Sequence, residues 1–206
     1  MVTMNIIDLT MPLDNKTPAY RGDPIIKVKQ IATIKKDGWN EKRIHINTHC
    51  GTHIDAPSHM VSAGRSIDKI PLNAFFGEGV LIDVKKKNIN LPCLKGLKCN
   101  SESVVLFLTG QSDKRYQKYY NNTKFVSTEV AHQLVKLKVK AIGIDSFSPD
   151  QEPYPVHKIL LQKGILIIEN LINLKSLIGK KFQVQYFPLS ITDGDGAPCR
   201  VLAFVK

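Results

Sequence analysis

Three of the six histidines fall within eleven residues, His49-Cys50-Gly51-Thr52-His53-Ile54-Asp55-Ala56-Pro57-Ser58-His59. Imidazole nitrogens together with a carboxylate oxygen form a donor set that suits zinc, manganese and related divalent ions. Gly51 permits a sharp turn of the backbone after His49. His53 and Asp55, two apart on an extended segment, project to the same side. Pro57 interrupts any helix through the cluster, so the pattern differs from the helical H-E-x-x-H arrangement. Two more donors lie downstream. Glu169 ends the apolar run Ile165–Ile168, and His157 follows Tyr154-Pro155-Val156. A carboxylate at the end of a buried strand is costly unless it is paired or ligated. Glu169 as a capped loop carboxylate and His157 as an ordinary structural histidine are the plainer readings.

The elements that position these groups read as a mixed α/β chain. Ile44 and Ile46 alternate with His45, Asn47 and His49, the period of a half-buried strand over 43–49. Residues 79–84 and 104–109 are short, nearly continuous apolar runs, as expected of strands covered on both faces. A helix is expected over 127–138, with Ser127 as its cap and Val130, Leu134, Val135 and Leu137 recurring at helical spacing. Residues 141–145 and 164–169 are two further buried strands, each ending in a carboxylate. Loops containing Pro149, Pro153 and Pro155 join them. The last third, 182–205, reads as two strands around the polar turn Thr192–Gly196.

Composition bounds the rest. A chain of 206 residues with 43 % hydrophobic and 23 % charged residues fits one globular domain over 1–206 and excludes wholesale disorder. No apolar run approaches the roughly 18 to 20 residues needed to span a bilayer, and the N-terminus lacks a secretory pattern, so a cytoplasmic protein is expected. The net charge is 29 − 18 = +11. The lysines are scattered and arginines are few, which argues for a solvated surface and against nucleic acid as the partner. Cys50, Cys93, Cys99 and Cys199 form no C-x-x-C pair and are expected as free thiols. Asn121-Asn122-Thr123 fits a glycosylation pattern that means little without secretion. His45 and His132 read as polar surface residues, Cys50 as pointing away from His49, and Trp39 as a packing or interface aromatic.

The run H-x-G-T-H-x-D-x-P-x-H from His49 to His59 resembles the signature of the metal-dependent cyclase family, which includes arylformamidases and isatin hydrolases. Asp8–Leu13, Thr17–Asp23, Gly143–Ser146, Ile168–Leu171 and Phe187–Arg200 resemble its other blocks, so the likeness covers nearly the whole chain. The resemblance implies a swivelling β/β/α fold and frequent homodimers or tetramers. It also implies two divalent ions, zinc or manganese. His49 and His53 would hold one ion, His157 the other, and Asp55 and Glu169 would touch both. His59 would be the proton donor and acceptor, a role that fits an ordinary histidine pKa near 6.5. Tyr20 stands where formamidases commonly place a substrate-contacting tryptophan, in a loop bracketed by Pro18 and Gly22. The implied activity is arylformamidase-like hydrolysis of a C–N bond in a small, flat formamide or amide. Two alternatives stand beside it: an isatin-hydrolase-like cyclic amide hydrolase using manganese, and a basic binding module with a structural metal. Five candidate ligands, with the cysteines off the ligand positions, favour an enzyme.

Overall fold

The computed structural model describes residues 5–114 and 123–205. Its strands are β1 (Asn5–Asp8), β2 (Lys27–Ala32), β3 (Glu41–His45), β4 (His53–Asp55), β5 (Phe76–Asp83), β6 (Ser103–Leu108), β7 (Ala141–Ile144), β8 (Leu166–Glu169), β9 (Phe182–Pro188) and β10 (Gly196–Val205). Its helices are α1 (Ile34–Asp37), α2 (Thr128–Leu137) and α3 (Pro155–Leu161). Asn121 and Asn122 of the glycosylation pattern lie outside the described residues.

Seven strands close into a barrel in the order β10-β4-β8-β7-β6-β5-β9, with β9 returning to β10. The long β10 makes the closure. Its first residues, Gly196–Pro198, pair with β4, and Cys199–Val205 pair with β9. β1 adds to the far side of β10, and β2–β3 form a separate two-stranded ribbon. β5, β6, β7 and β8 run parallel to one another, with α2 and α3 in the crossovers between β6, β7 and β8. The mixed α/β expectation matches this architecture.

Side-chain alternation divides the apolar residues between two layers. Val104, Leu106 and Leu108 of β6 join Ile54, Ile168, Val184 and Tyr186 in the barrel core. Val105 and Phe107 join Ile142, Ile144 and Ile167 beneath the helices, against Val130 and Leu134 of α2 and Val156 and Leu160 of α3. Every residue of β6, β7 and β8 is buried, which explains their continuous apolar runs. α2 starts where its cap predicts: the Ser127 side chain accepts a hydrogen bond from Val130 N.

Three expectations need correction. The strand expected over 43–49 stops at His45, and β3 is exposed throughout, because the ribbon leaves the barrel and Ile44 has no core to face. Residues 79–83 of the expected run belong to the longer β5, which is covered only in part: Ile82 is buried, whereas Val80 and Leu81 are half-buried. The segment expected as loop around Pro155 is helix α3, with proline at its first turn, where the missing N–H costs nothing.

Candidate metal centre

β4 is the base of the site. Ile54 points into the barrel core, so its neighbours His53 and Asp55 face outward, towards the helix layer. β4 pairs with β8 in antiparallel register, setting His53 directly opposite Glu169. α3 lies over this face and delivers His157. The turn Pro57–His59 follows β4 and returns His59 to the mouth. Gly51, at φ 56°, makes the turn into β4. Thr52 then ties the entry down: its hydroxyl donates to Asn170 O at 2.7 Å and accepts from Met11 N at 2.8 Å.

The donor atoms are paired. Nε2 of His53 lies 3.3 Å from Asp55 Oδ1 and 3.4 Å from Glu169 Oε2. Nε2 of His157 lies 3.4 Å from Asp55 Oδ2 and 3.3 Å from Glu169 Oε1. Each carboxylate therefore turns one oxygen to each histidine, giving two triangles of one nitrogen and two oxygens. Two ligands at about 2.1 Å from a tetrahedral ion stand about 3.4 Å apart, so the spacing within each triangle fits a shared divalent ion. Asp55 Oδ2 is buried without a hydrogen-bond partner, a costly state for a carboxylate oxygen unless a cation faces it.

The outward nitrogens are held. His53 Nδ1 lies 2.9 Å from Gly51 O, and His157 Nδ1 lies 2.5 Å from Asp150 Oδ1. With Nδ1–H donating to these acceptors, Nε2 is the nitrogen turned to the carboxylates and the one that would ligate, the outer bonding found around ligating histidines. His49 uses both nitrogens: Nδ1 is 2.8 Å from Asp55 Oδ1 and Nε2 is 3.0 Å from Asp195 Oδ2. Gly196 admits its ring, since a Cβ there would come within 2.8 Å of His49 Cε1. His59 differs from the other three. Its ring lies against His49, centroids 4.0 Å apart, and Asp195 Oδ2 stands 3.6 Å from its Nδ1, beyond hydrogen-bond reach. Atoms of His49, Asp55 and His59 nevertheless lie within 4.8 Å of one another, as do those of His53, Asp55 and Glu169.

The electrostatics follow from burial set against carboxylates. Burial works to lower the His53 pKa, but hydrogen bonds to Asp55 and Glu169 override it and raise the pKa to about 10. His157 behaves alike: burial opposes the charged ring, and Asp150, Asp55 and Glu169 push it well above its ordinary value. Burial would raise Asp55, yet the three surrounding histidines hold it well below the usual carboxylate range. Ligation at Nε2 would therefore require these rings to give up protons. Burial lowers His59, which leaves a neutral ring at pH 7.

All seven residues singled out in the sequence, His49, His53, Asp55, His59, His157, Glu169 and Tyr20, line one cavity of about 330 Å³. Tyr20 closes one wall, its hydroxyl 3.3 Å from that of Tyr154 and its ring 5.6 Å from that of Phe147. The hydrogen bond to Tyr154 raises the Tyr20 pKa, so the phenol stays neutral. Asp150 and Asp195 escaped the sequence reading. Asp195 lies within the polar turn read at Thr192–Gly196, and Asp150 lies in the loop before Pro153; neither sits in a periodic pattern. His45 and His132 are exposed and outside the cavity, Cys50 is buried, and all four cysteines are free. Trp39 is exposed near the ribbon's end.

The chain matches the family profile named Cyclase, described as "Putative cyclase", over residues 7–151. It is 30% identical to the kynurenine formamidase of Bacillus cytotoxicus over 201 residues, covering 95% of each chain. A solved structure titled as a potential metal-dependent hydrolase with cyclase activity is 32% identical, with a TM-score of 0.85 and 99% of both chains covered. Isatin hydrolase A from Labrenzia aggregata is 28% identical, with a TM-score of 0.87 over 98% of this chain and 94% of its own. Full-length likeness in sequence and fold, together with the carboxylate-bridged histidine cluster, shows that the chain belongs to the cyclase family of hydrolytic enzymes.

Proposed function

We propose that this protein hydrolyses the C–N bond of a small, flat aromatic formamide or amide at a centre of two divalent ions, with N-formylkynurenine as the type of substrate. The observation that carries the reading is the pair of triangles in which Asp55 and Glu169 each offer one oxygen towards His53 and one towards His157. His53 and His49, the latter through the Nδ1 that faces Asp55, would hold the first ion. His157 would hold the second, with Asp55 and Glu169 available to both. When bound, such ions polarise a substrate carbonyl and acidify water. Nitrogen and oxygen donors at tetrahedral spacing favour zinc, with manganese the alternative.

The chain's own groups supply the rest. Among the described residues His59 lacks the outer acceptor that holds the rings of His49, His53 and His157, and it stands at the mouth of the cavity. It is accordingly the proton carrier: it takes a proton from the attacking water and returns it to the leaving nitrogen. Tyr20 and Phe147 offer aromatic faces to the substrate ring, and the Tyr20 and Tyr154 hydroxyls offer hydrogen bonds to its polar edge. The kynurenine formamidase and isatin hydrolase likenesses support amide chemistry of this kind. A closed structural metal site would leave no adjoining cavity, and no cysteine enters either donor group among the described residues.

Residues 1–206 act as one unit, and the active form is a homodimer. The ribbon and the segments beside it support this: Ile44 in β3, Ile25 before β2, and Ile34 and Trp39 between the two strands are all more than half exposed, and a two-stranded ribbon is marginal without packing. Free cysteines suit a reducing cytoplasm. The scattered lysines make nucleic acid no part of the function. The deciding experiment measures ions per chain and hydrolysis of N-formyl aromatic amines, isatin and cyclic amides. Two ions with formamide turnover support the reading. Isatin turnover alone moves it to cyclic amides, and a folded protein with fewer than two ions at saturation overturns the binuclear centre.

A further inference from the structure

The loop before α3 contains a buried carboxylate that the proposed chemistry does not use. Asp150 is 4% exposed, and both of its oxygens are committed. Oδ2 accepts from the backbone N–H of Val156 at 2.6 Å and of His157 at 3.2 Å. Oδ1 lies 2.5 Å from His157 Nδ1. Tyr154, the residue at the cap position of α3, makes no side-chain cap bond, so Asp150 supplies the missing acceptor from four residues upstream. One side chain therefore fixes both the start of α3 and the orientation of the ring that α3 carries.

We infer that Asp150 is the positioning residue of the second ion site, holding His157 with Nδ1 protonated so that Nε2 is free to ligate. The inference rests on the reading of His157 as a ligand. It follows from what a carboxylate does here and an amide does not. Three N–H groups converge on Asp150, so each oxygen must accept. In Asp150→Asn, one end of the side chain becomes a donor. If the oxygen stays on the backbone N–H groups of α3, the amide NH₂ faces His157 Nδ1. The ring must then accept at Nδ1 and carry its proton on Nε2, the nitrogen turned to Asp55 and Glu169. If the amide flips, its NH₂ meets the N–H of Val156 instead. The first arrangement keeps the helix start and forfeits the ligand.

The test titrates zinc into ion-free full-length protein and resolves the two binding steps by calorimetry. Asp150→Asn is expected to weaken one step by about 10–100-fold, the usual effect of losing an outer-shell partner, and to leave the other step unchanged. Asp150→Ser is too short to reach the ring and sets no amide donor against the N–H groups of α3, so it covers the case in which the asparagine variant fails to fold. It is expected to show the same selective loss. A folded Asp150 variant that binds both ions with wild-type affinity overturns the inference, and so does equal weakening of both steps, which marks a general structural role. His157→Ala separates this from the parent reading. If it loses one ion while the Asp150 variants keep both, only the positioning role fails. If it keeps both, His157 is not a ligand and both readings fall.

Discussion

Replacing His59 with alanine tests the division between holding ions and moving protons. The ring is partly exposed, touches His49 at 4.0 Å between centroids and makes no hydrogen bond to the described residues. Its removal strands no buried partner, and the turn Pro57–His59 is held by backbone bonds that alanine keeps. Both ions should therefore remain. Lost acid–base assistance typically costs about 10²–10⁴-fold in rate, or about 3–5 kcal/mol at about 1.4 kcal/mol per tenfold. Burial sets the His59 pKa below its ordinary value, so the wild-type kcat/KM should fall as acid protonates this base, with its midpoint below about 6.5. In His59→Ala that acid limb should vanish along with most of the rate. The assay pairs elemental analysis with rates across pH on the best formamide or amide substrate. Loss of an ion refutes the assignment, since His59 would then be a ligand of the His49–Asp55 group. Both ions present with a rate within tenfold of wild type refutes it from the other side.

Tyr20→Ala should raise KM for aromatic substrates several-fold and leave ion content unchanged, because the side chain forms cavity wall and no part of the donor set; an unchanged KM on every aromatic substrate removes Tyr20 from recognition. For the ion-free protein, His53 has a folded pKa raised to about 10 against an ordinary 6.5. Its contribution to stability is full below about pH 6.5 and is lost as pH rises through about 10, so melts of chelator-treated protein should show falling stability over that window. Leu106→Ala, in the barrel core with no exposed surface, should cost about 2–5 kcal/mol in urea unfolding. It should leave ion content intact, since the donors stand on the opposite face of the sheet.

The donor set was legible because most of it is contiguous: His49, His53, Asp55 and His59 share one turn, one short strand and the turn after it. Strands β6 to β8 were legible because both faces are covered, which leaves unbroken apolar runs. The ribbon misled, since Ile44 and Ile46 alternate as a core strand would while the chain around them stands away from the barrel. Pro155 reads equally as loop or as first helical residue, and the Asp150 contacts and the burial of Val156 and Leu160, which favour the helix, appear only in the fold. Closure of the barrel was not legible either. It depends on β10 pairing with β4 at one end and β9 along the rest, and pairing choice leaves no local trace in sequence. Asp150 and Asp195 act through distant histidines, so their roles appear only when the chain is folded.

The placement of Ile54 between His53 and Asp55 has a consequence for how this chain tolerates change in length. Three residues of β4 serve two interiors at once, the barrel on one face and the centre on the other. Deleting or inserting a single residue in the strand would exchange the faces, driving ionisable groups into the barrel and an isoleucine among the donors. The interval from His49 to His59 is therefore rigid in length. Outside the interval from Asp150 to His157, the segments that join β4 to α3 and β8 meet no such condition, for His157 and Glu169 arrive on elements of their own. Loop insertions elsewhere should be absorbed with the centre intact, whereas β4 and the interval from Asp150 to His157 admit none.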